Sequence, residues 1–256
     1  MELLKTANAL LGFNQASLTK YLLIAAKEDA AGISTDANAI ANETAASLDV
    51  NNVPAFFTHV LERVHFDRDL HFQTATTIDT LDYTGTSLNH GSKVVIAAAG
   101  AKIRELRNNP GDLETLAFPQ MFKNATIVMP GVLMIEGPAH LENGNEAFRE
   151  LKEALALWEF RENYPWISII DEGARNAGNG ANANNILSDF LWLTFTRSAP
   201  AQDIYGLDEV VENKHWKCKA PLIIDARIKP HHQKQLTVPA EITAKAKQIL
   251  KNAGVV

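Results

Sequence analysis

The chain has 256 residues, of which 46% are hydrophobic and 21% are charged, and its formal net charge is −6. This composition is ordinary for a soluble globular protein, and the negative balance argues against a basic nucleic-acid surface. The only cysteine, Cys218, excludes an intramolecular disulfide and a Cys-rich metal site. The first residues lack a signal-peptide pattern, and no apolar run approaches the ~20 residues that span a bilayer. We therefore expect a cytoplasmic protein without a membrane span.

Apolar patterning predicts the elements of the first half. Two segments repeat apolar residues at helical spacing, and Pro54 stands in the first turn of the second of them. The continuous apolar run at 21–26 is typical of a strand covered on both faces. The predicted order is a helix at 2–11, a strand at 21–26, a long loop at 28–50 that can include a short helix, a helix at 52–64, and strands at 70–72 and 94–98.

The second half continues the alternation of strands and helices. Its predicted order is connecting structure at 103–124, strands at 125–129 and 132–135, a helix at 145–159, a strand at 166–170, a Gly/Asn-rich loop at 173–184, a helix at 185–196, strands near 204 and at 222–226, and a helix from Pro239. This alternation predicts a layered α/β/α fold with a mixed sheet. We expect two related units in tandem, at residues 1–102 and 103–256.

The same order of elements occurs twice, at residues 2–98 and 145–226. Identical residues recur 134 positions apart, where Phe56 matches Phe190, Arg63 matches Arg197 and Asp69 matches Asp203. Chance similarity between strand–helix segments is the alternative, and three identities in matching contexts favour a true repeat. The arginine suits the negative end of a helix, and the aspartate can accept hydrogen bonds in the turn before the next strand.

Several segments resemble one known family, the UbiD decarboxylases, in their C-terminal region. These segments are Gln15-Ala-Ser-Leu-Thr-Lys-Tyr-Leu-Leu-Ile24, Thr77-Ile-Asp-Thr-Leu-Asp-Tyr83, Gly91-Ser-Lys-Val-Val-Ile-Ala97, Leu191-Trp-Leu-Thr-Phe-Thr-Arg-Ser-Ala-Pro-Ala-Gln-Asp203 and Lys219-Ala-Pro-Leu-Ile-Ile-Asp225. No single motif is decisive, but their order and spacing together are specific. The family's usual aspartate after the apolar strand is Ala97 in the first unit and Asp225 in the second.

The resemblance implies a role in exchanging CO2 on aromatic or unsaturated acids, with quinone biosynthesis as a possible pathway. Such enzymes use prenylated FMN and a divalent metal, and the cofactor supplies the electron sink. In the family, a flavin-binding domain carries the Glu-Arg-Glu set and the metal ligands. Neither this domain nor the strand expected before residues 2–11 is recognisable here. We therefore expect a fragment or a divergent short relative that is inactive alone, binds no cofactor, and serves as a scaffold for oligomerisation.

Site residues are assigned by analogy with the family at only two positions in the chain. The loop at 78–81, with Ile78, Thr80 and Leu81, is expected to approach the substrate pocket, and Gln15 is expected on the flavin side. No catalytic or metal-binding residue is assigned. The expected partners are the N-terminal flavin-binding domain and further copies of this chain. The alternative function is an independent α/β protein that binds a small molecule or a nucleotide, and the Gly178-Asn-Gly180 loop is the feature that favours it.

Other chemistry-bearing clusters have simpler interpretations. His215, Cys218, His231 and His232 are residue types that bind zinc. Their spacing fits no closed zinc-binding motif, so we expect the histidines to be exposed to solvent. The pair Asp171-Glu172 follows a strand and is expected to be solvated. Lysines flank Cys218, but without a recognisable partner the thiol is expected to have no role.

Overall fold

The computed structural model describes residues 2–26, 48–85, 87–140, 144–177, 186–233 and 238–254. The longer helices are α1 (Glu2–Leu11), α2 (Val53–Leu61), α3 (Gly144–Leu157), α4 (Ile186–Thr196) and α5 (Ala240–Asn252). The strands are β1 (Tyr21–Ala25), β2 (Leu70–Thr76), β3 (Gly91–Ala98), β4 (Lys123–Met129), β5 (Val132–Gly137), β6 (Trp166–Asp171), β7 (Ile204–Glu212) and β8 (His215–Asp225). None of the helices in these ranges is long and apolar enough to cross a membrane.

The predicted elements are confirmed in order and type wherever the chain is described. The helix predicted at 52–64 is shorter, because it begins after the cap residue Asn52, whose Oδ1 accepts a hydrogen bond from the Ala55 N–H, and ends at Leu61. Most of the loop predicted at 28–50 and part of that at 173–184 lie outside the described residues.

The strands form two mixed sheets, which confirms the predicted α/β fold class. Sheet one has the order β1-β3-β2, and sheet two has the order β4-β5-β6-β8-β7. In sheet one, β1 runs parallel to β3 and β2 runs antiparallel to it. In sheet two, β6 runs parallel to β8 and β7 runs antiparallel to it. Three strands of sheet one are thus repeated in sheet two, with the same connections and directions.

The residue pairing makes the repeat specific. In sheet one Leu70 and Leu23 both pair with Ile96, and in sheet two Ile204 and Ser168 both pair with Ile224. The next residues along the central strands, Ala97 and Asp225, are therefore structurally equivalent, as their places after the apolar strands suggested. We call the parts that contain sheet one and sheet two unit one and unit two; the predicted boundary between residues 102 and 103 stays a prediction.

The turn before the second strand of each repeat is held by the same hydrogen bond. Asp69 Oδ2 accepts from the backbone N–H of His65 at 2.9 Å, and Asp203 Oδ2 accepts from that of Ala199 at 2.6 Å. Both aspartates are buried, so each carboxylate satisfies a backbone donor inside the turn and is itself satisfied by it. This confirms the turn-forming role predicted for the two aspartates.

An aromatic cluster joins the two units. Phe57 on α2 contacts Trp166 and Phe190 of unit two in edge-to-face geometry, with ring centres 5.6 and 5.8 Å apart. Tyr21 on β1 contacts Phe195 at 4.9 Å, and its hydroxyl hydrogen-bonds Ser198 Oγ at 2.7 Å. Because these side chains fill one core from both sides, the units share a hydrophobic interior rather than a thin contact.

Strand β1 is less buried than its apolar sequence predicted. All five of its residues are half-buried, because β3 is the only described strand that pairs with it. The Val94 N–H donates to the Lys20 carbonyl, and the Ala26 N–H donates to the Ala98 carbonyl. Because backbone direction alternates along a strand, Tyr21, Leu23 and Ala25 direct their N–H and C=O groups away from the sheet. The equivalent edge of β6 is covered by β5.

Candidate functional site: a cleft between the two units

A cleft of about 460 Å³ lies between the two units. Unit one contributes Lys20 and the loop between β2 and β3, and unit two contributes the end of α4 and the segment after β8. Its wall combines exposed apolar side chains with charged groups. The lining residues used below are Lys20, Asp79, Leu81, Asp82, Tyr83, Thr84, Trp192, Arg197 and His232.

The unit-one wall is a loop shaped by two aspartates. Asp79 Oδ1 accepts from the Leu81 N–H at 2.8 Å, and Asp82 Oδ1 accepts from the Thr84 N–H at 2.9 Å. Such side-chain-to-backbone bonds two residues on fix local turns. Between the two turns Leu81 projects outward, with 77% of its surface exposed. The loop therefore presents an apolar side chain at the rim of the cleft.

Lys20 and Asp82 form an ion pair in the floor of the cleft. Their charged atoms lie 2.7 Å apart, and Lys20 Nζ also donates to Thr84 Oγ1 at 3.1 Å. Burial lowers the pKa of Lys20, although Asp82 opposes this. Burial would raise the pKa of Asp82, but Lys20 and the Thr84 bonds outweigh it, so the pKa of Asp82 is lowered. The Asp82 carboxylate therefore stays ionised and paired with the Lys20 ammonium group.

The unit-two wall carries an aromatic side chain and a second ion pair. Trp192 on α4 is 65% exposed. Arg197, just beyond α4, pairs with Asp171 Oδ2 at 3.2 Å, and the same oxygen accepts from the Ile228 N–H at 2.9 Å. Burial lowers the pKa of His232 to about 4, with Lys229 and His231 adding to the effect, so the His232 ring is neutral at pH 7.

A buried charge network lies behind the unit-two wall. Arg227 forms a two-bond pair with Asp225, at 2.9 Å from Nε and 2.7 Å from Nη2. Lys229 Nζ lies 3.2 Å from Asp203 Oδ1 and also donates to the carbonyls of Arg197 and Asp225. All four charged side chains are buried. Burial raises the pKa of Asp203, and Lys229 only partly offsets it. The network joins the end of β8 to the turn before β7.

The sequence pointed to Asp203 and Asp225 but missed their cationic partners. Arg227 and Lys229 follow Asp225 at every second position, as in a strand whose side chains alternate sides. Because β8 ends at Asp225, this short alternation lies in what looks like a polar loop. The interpretation of Arg197 as a helix-terminal cation was incomplete, since its pairing with Asp171 is also tertiary.

The site residues transferred from the family are not all at the cleft. Leu81 lines it, and Thr80 is exposed beside it. Ile78 is buried and packs on Gly91, where an added Cβ would lie 2.8 Å from Ile78 Cδ1. Gln15 is exposed in a short 3-10 helix at 14–18 and does not line this cleft. Their proposed roles stay predictions; the buried side chain of Ile78 is placed to anchor the loop on Gly91.

The other clusters are placed as follows. Cys218 is buried, and burial raises the pKa of its thiol to about 12, so it is not a reactive thiolate. His231 is exposed as expected, but the expectation is wrong for His215 and His232, which are half-buried. The Gly178-Asn-Gly180 loop lies outside the described residues.

The acidic pair that follows β6 was expected to be solvated, and this holds for only one of its members. Glu172 is exposed and pairs with Lys123 at 3.0 Å. The expectation is wrong for Asp171, whose side chain is held by Arg197 and the Ile228 N–H.

Comparison with known proteins agrees with the resemblance. A sequence model of the family described as the 3-octaprenyl-4-hydroxybenzoate carboxy-lyase C-terminal domain, UbiD_C, matches residues 1–98. Residues 1–98 therefore match the C-terminal domain of the UbiD family. The predicted family resemblance is thereby confirmed, and the UbiD_C region contains β1, β2, β3 and the Leu81 loop.

Relatives extend the similarity over nearly the whole chain. The chain is 32% identical over 239 residues to a protein of Chlamydia pneumoniae that is named as one subunit of 4-hydroxybenzoate decarboxylase, with 93% of this chain and 34% of that protein covered. It is 30% identical over 241 residues to an uncharacterised protein of Chlamydia muridarum, with 94% and 35% covered. The chain thus spans about a third of the length of these curated relatives.

A search of solved structures found a vanillic acid decarboxylase of Sedimentibacter hydroxybenzoicus in its closed form. Its sequence identity is 14% and its TM-score is 0.36, with 70% of this chain and 44% of that chain covered.

Proposed function

We propose that this chain is the assembly region of a prenylated-FMN-dependent UbiD-type decarboxylase or carboxylase that acts on aromatic or unsaturated acids. The UbiD_C match supports the enzyme class, and the name of the C. pneumoniae relative supports an aromatic acid as substrate. Quinone biosynthesis is the pathway that we propose, and the cytoplasm is the proposed location.

The observation that carries the assembly role is the surface of α5. Every residue from 238 to 254 is exposed, so the helix buries none of its residues against the rest of the described chain. Ile242, Ile249 and Leu250 nevertheless recur at helical spacing and form an apolar stripe, with 42–58% of each residue exposed. An amphipathic helix with an uncovered stripe is typical of a surface that packs on another protein chain.

The open edge of β1 supports the same role. Its outward backbone groups have no described partner, whereas β5 covers the equivalent edge of β6. A cavity of about 420 Å³ lined by Leu22, Leu23, Phe56 and Phe195 lies beside this edge. Unpaired strand edges next to apolar surface readily accept another strand.

The cleft is proposed to face the flavin-binding part of the enzyme. Leu81 and Trp192 present apolar surface at its rim, which suits packing against a substrate or a neighbouring domain. Its cations Lys20 and Arg197 already have carboxylate partners, Asp82 and Asp171, which reduces the positive charge available to a flavin phosphate. This supports placing prenylated FMN and the divalent metal in the partner domain, with Leu81 approaching the substrate from this chain.

Charge substitutions on α5 test the assembly role. We expect light scattering to show a dimer or larger species for the unaltered chain, and a monomer for the double variant Ile242→Glu/Ile249→Glu, because two carboxylates then lie in the apolar stripe. The matched control is Ala244→Glu/Gln248→Glu, which adds the same charge on the opposite face of the helix and should stay associated.

Two results would contradict the assembly role. One is a monomeric mass for the unaltered chain at the highest concentration that can be measured. The other is an unchanged oligomer in the Ile242→Glu/Ile249→Glu variant. Because α5 buries no residue in its own chain, circular dichroism should show both double variants folded, so a change in mass reports on association.

A further inference from the structure

Two histidines from different units face each other at the junction of the two sheets. His71 lies on β2 of unit one, and His215 is the first residue of β8 of unit two. Their ring centres are 5.6 Å apart and the ring planes are inclined by 53°. The sheets also meet here through a backbone hydrogen bond of 3.2 Å from the Cys218 N–H to the Phe66 carbonyl.

The His215 ring has an unused nitrogen. His215 Nε2 is buried and has no hydrogen-bond partner, and neither histidine ring hydrogen-bonds to any residue that the structure describes. A buried polar atom without a partner is unfavourable, so such atoms in native proteins call for a specific explanation. A ligand held between the two rings would provide one.

The separation of the rings suits a shared metal ion. A metal–nitrogen bond of about 2.1 Å places each ring centre about 3.2 Å from the ion, so two rings at bond angles of 109–120° have centres roughly 5.2–5.5 Å apart. The observed 5.6 Å is close to the upper value.

The surroundings allow an ion to enter and be hydrated. A cavity of about 390 Å³ is lined by both histidines together with Thr74 and Lys214, and Lys214 is exposed, so its ammonium group can extend into solvent.

We propose that His71 and His215 together bind one divalent cation of the zinc type, which ties unit one to unit two. Imidazole nitrogen is a preferred ligand of such ions. Within the described ranges, no group of three or more His, Cys, Asp or Glu side chains converges on a point, so water molecules complete the coordination. The site is separate from the inter-unit cleft and does not depend on the proposed decarboxylase role.

Zinc titration of single-histidine variants tests this site. Isothermal titration of the unaltered chain with Zn²⁺ at pH 7 should show one ion per chain, and His71→Ala and His215→Ala should each weaken binding roughly tenfold or more. Zinc should also raise the unfolding temperature of the unaltered chain, because an ion that binds only the folded state stabilises it. Neither variant should show this rise, whereas His90→Ala, which removes an exposed histidine elsewhere, should retain both effects.

Three results would contradict a metal ion shared by His71 and His215. No zinc binding by the unaltered chain, unchanged affinity in either histidine variant, or an equal temperature rise in all variants would each overturn the proposal. If an alanine variant fails to fold, His71→Gln and His215→Gln retain most of the side-chain volume and provide the same comparison.

Discussion

Replacing Asp225 with alanine should lower the free energy of unfolding by about 3–5 kcal/mol, the typical cost of breaking a buried ion pair by removing one partner. Two guanidinium nitrogens of Arg227 donate hydrogen bonds to this carboxylate, and the arginine side chain is only 1% exposed. Without Asp225 the guanidinium group stays buried with only the Pro138 carbonyl as a described acceptor. Urea denaturation monitored by circular dichroism measures the loss.

An exposed ion pair provides the control for Asp225. Glu172 pairs with Lys123 at 3.0 Å, but both side chains are more than 50% exposed, so water solvates either charge when its partner is removed. Glu172→Ala should therefore leave the urea midpoint almost unchanged. An Asp225→Ala protein as stable as the Glu172→Ala protein would show that the buried network does not hold the end of β8.

The same carboxylate should contribute to acid sensitivity. Burial would raise the pKa of Asp225, but Arg227 and Lys229 outweigh it, so the folded-state pKa lies below the usual value. A lowered pKa means that the stabilisation is present at neutral pH and is lost as pH falls below about 4, through the folded-state pKa. The stability difference between the unaltered chain and Asp225→Ala should consequently narrow in that acid range.

Replacing Phe190 with alanine should cost about 3–5 kcal/mol, as for other fully buried aromatic residues. The ring is 0% exposed and contacts Phe57 of unit one as well as Trp166 and Phe195 of unit two. Because the cavity would open in the core shared by both units, urea should still unfold the chain in one transition, at a lower midpoint.

The exposed Leu157 provides the control for this core. It lies at the end of α3 and is 89% exposed, so Leu157→Ala should change stability by no more than about 0.5 kcal/mol. Two separate unfolding transitions in Phe190→Ala, with unit one unaffected, would contradict the shared core.

The fold was largely predictable because local patterns were strong. Helical spacing located α1, α2 and α3, and the offset of 134 positions located the two Asp turns. The first half of β8 was missed, because polar and apolar residues alternate at 215–220 and the prediction relied on the continuous apolar run at 222–226. The burial of β1 was overestimated, since its composition does not reveal that it lies at a sheet edge.

The site was less predictable because its contacts are tertiary. The family motif predicted a substrate-pocket loop at 78–81, but no local pattern shows that Ile78 turns inward onto Gly91 while Leu81 turns outward. His71 and His215 face each other although they are 144 positions apart in the sequence, and neither histidine belongs to a motif. Such pairs become visible only when the register of both sheets is known.

The proposal that prenylated FMN binds a partner domain rather than this chain is tested most directly by the absorbance spectrum of this chain purified from cells that produce prenylated FMN. A UbiD decarboxylase expressed in the same cells serves as the positive control for cofactor supply. We predict protein absorbance alone and no decarboxylation of aromatic acids, because the cleft's cations Lys20 and Arg197 are already paired with carboxylates. One flavin per chain in the visible spectrum would contradict the assignment of the cofactor to a partner domain.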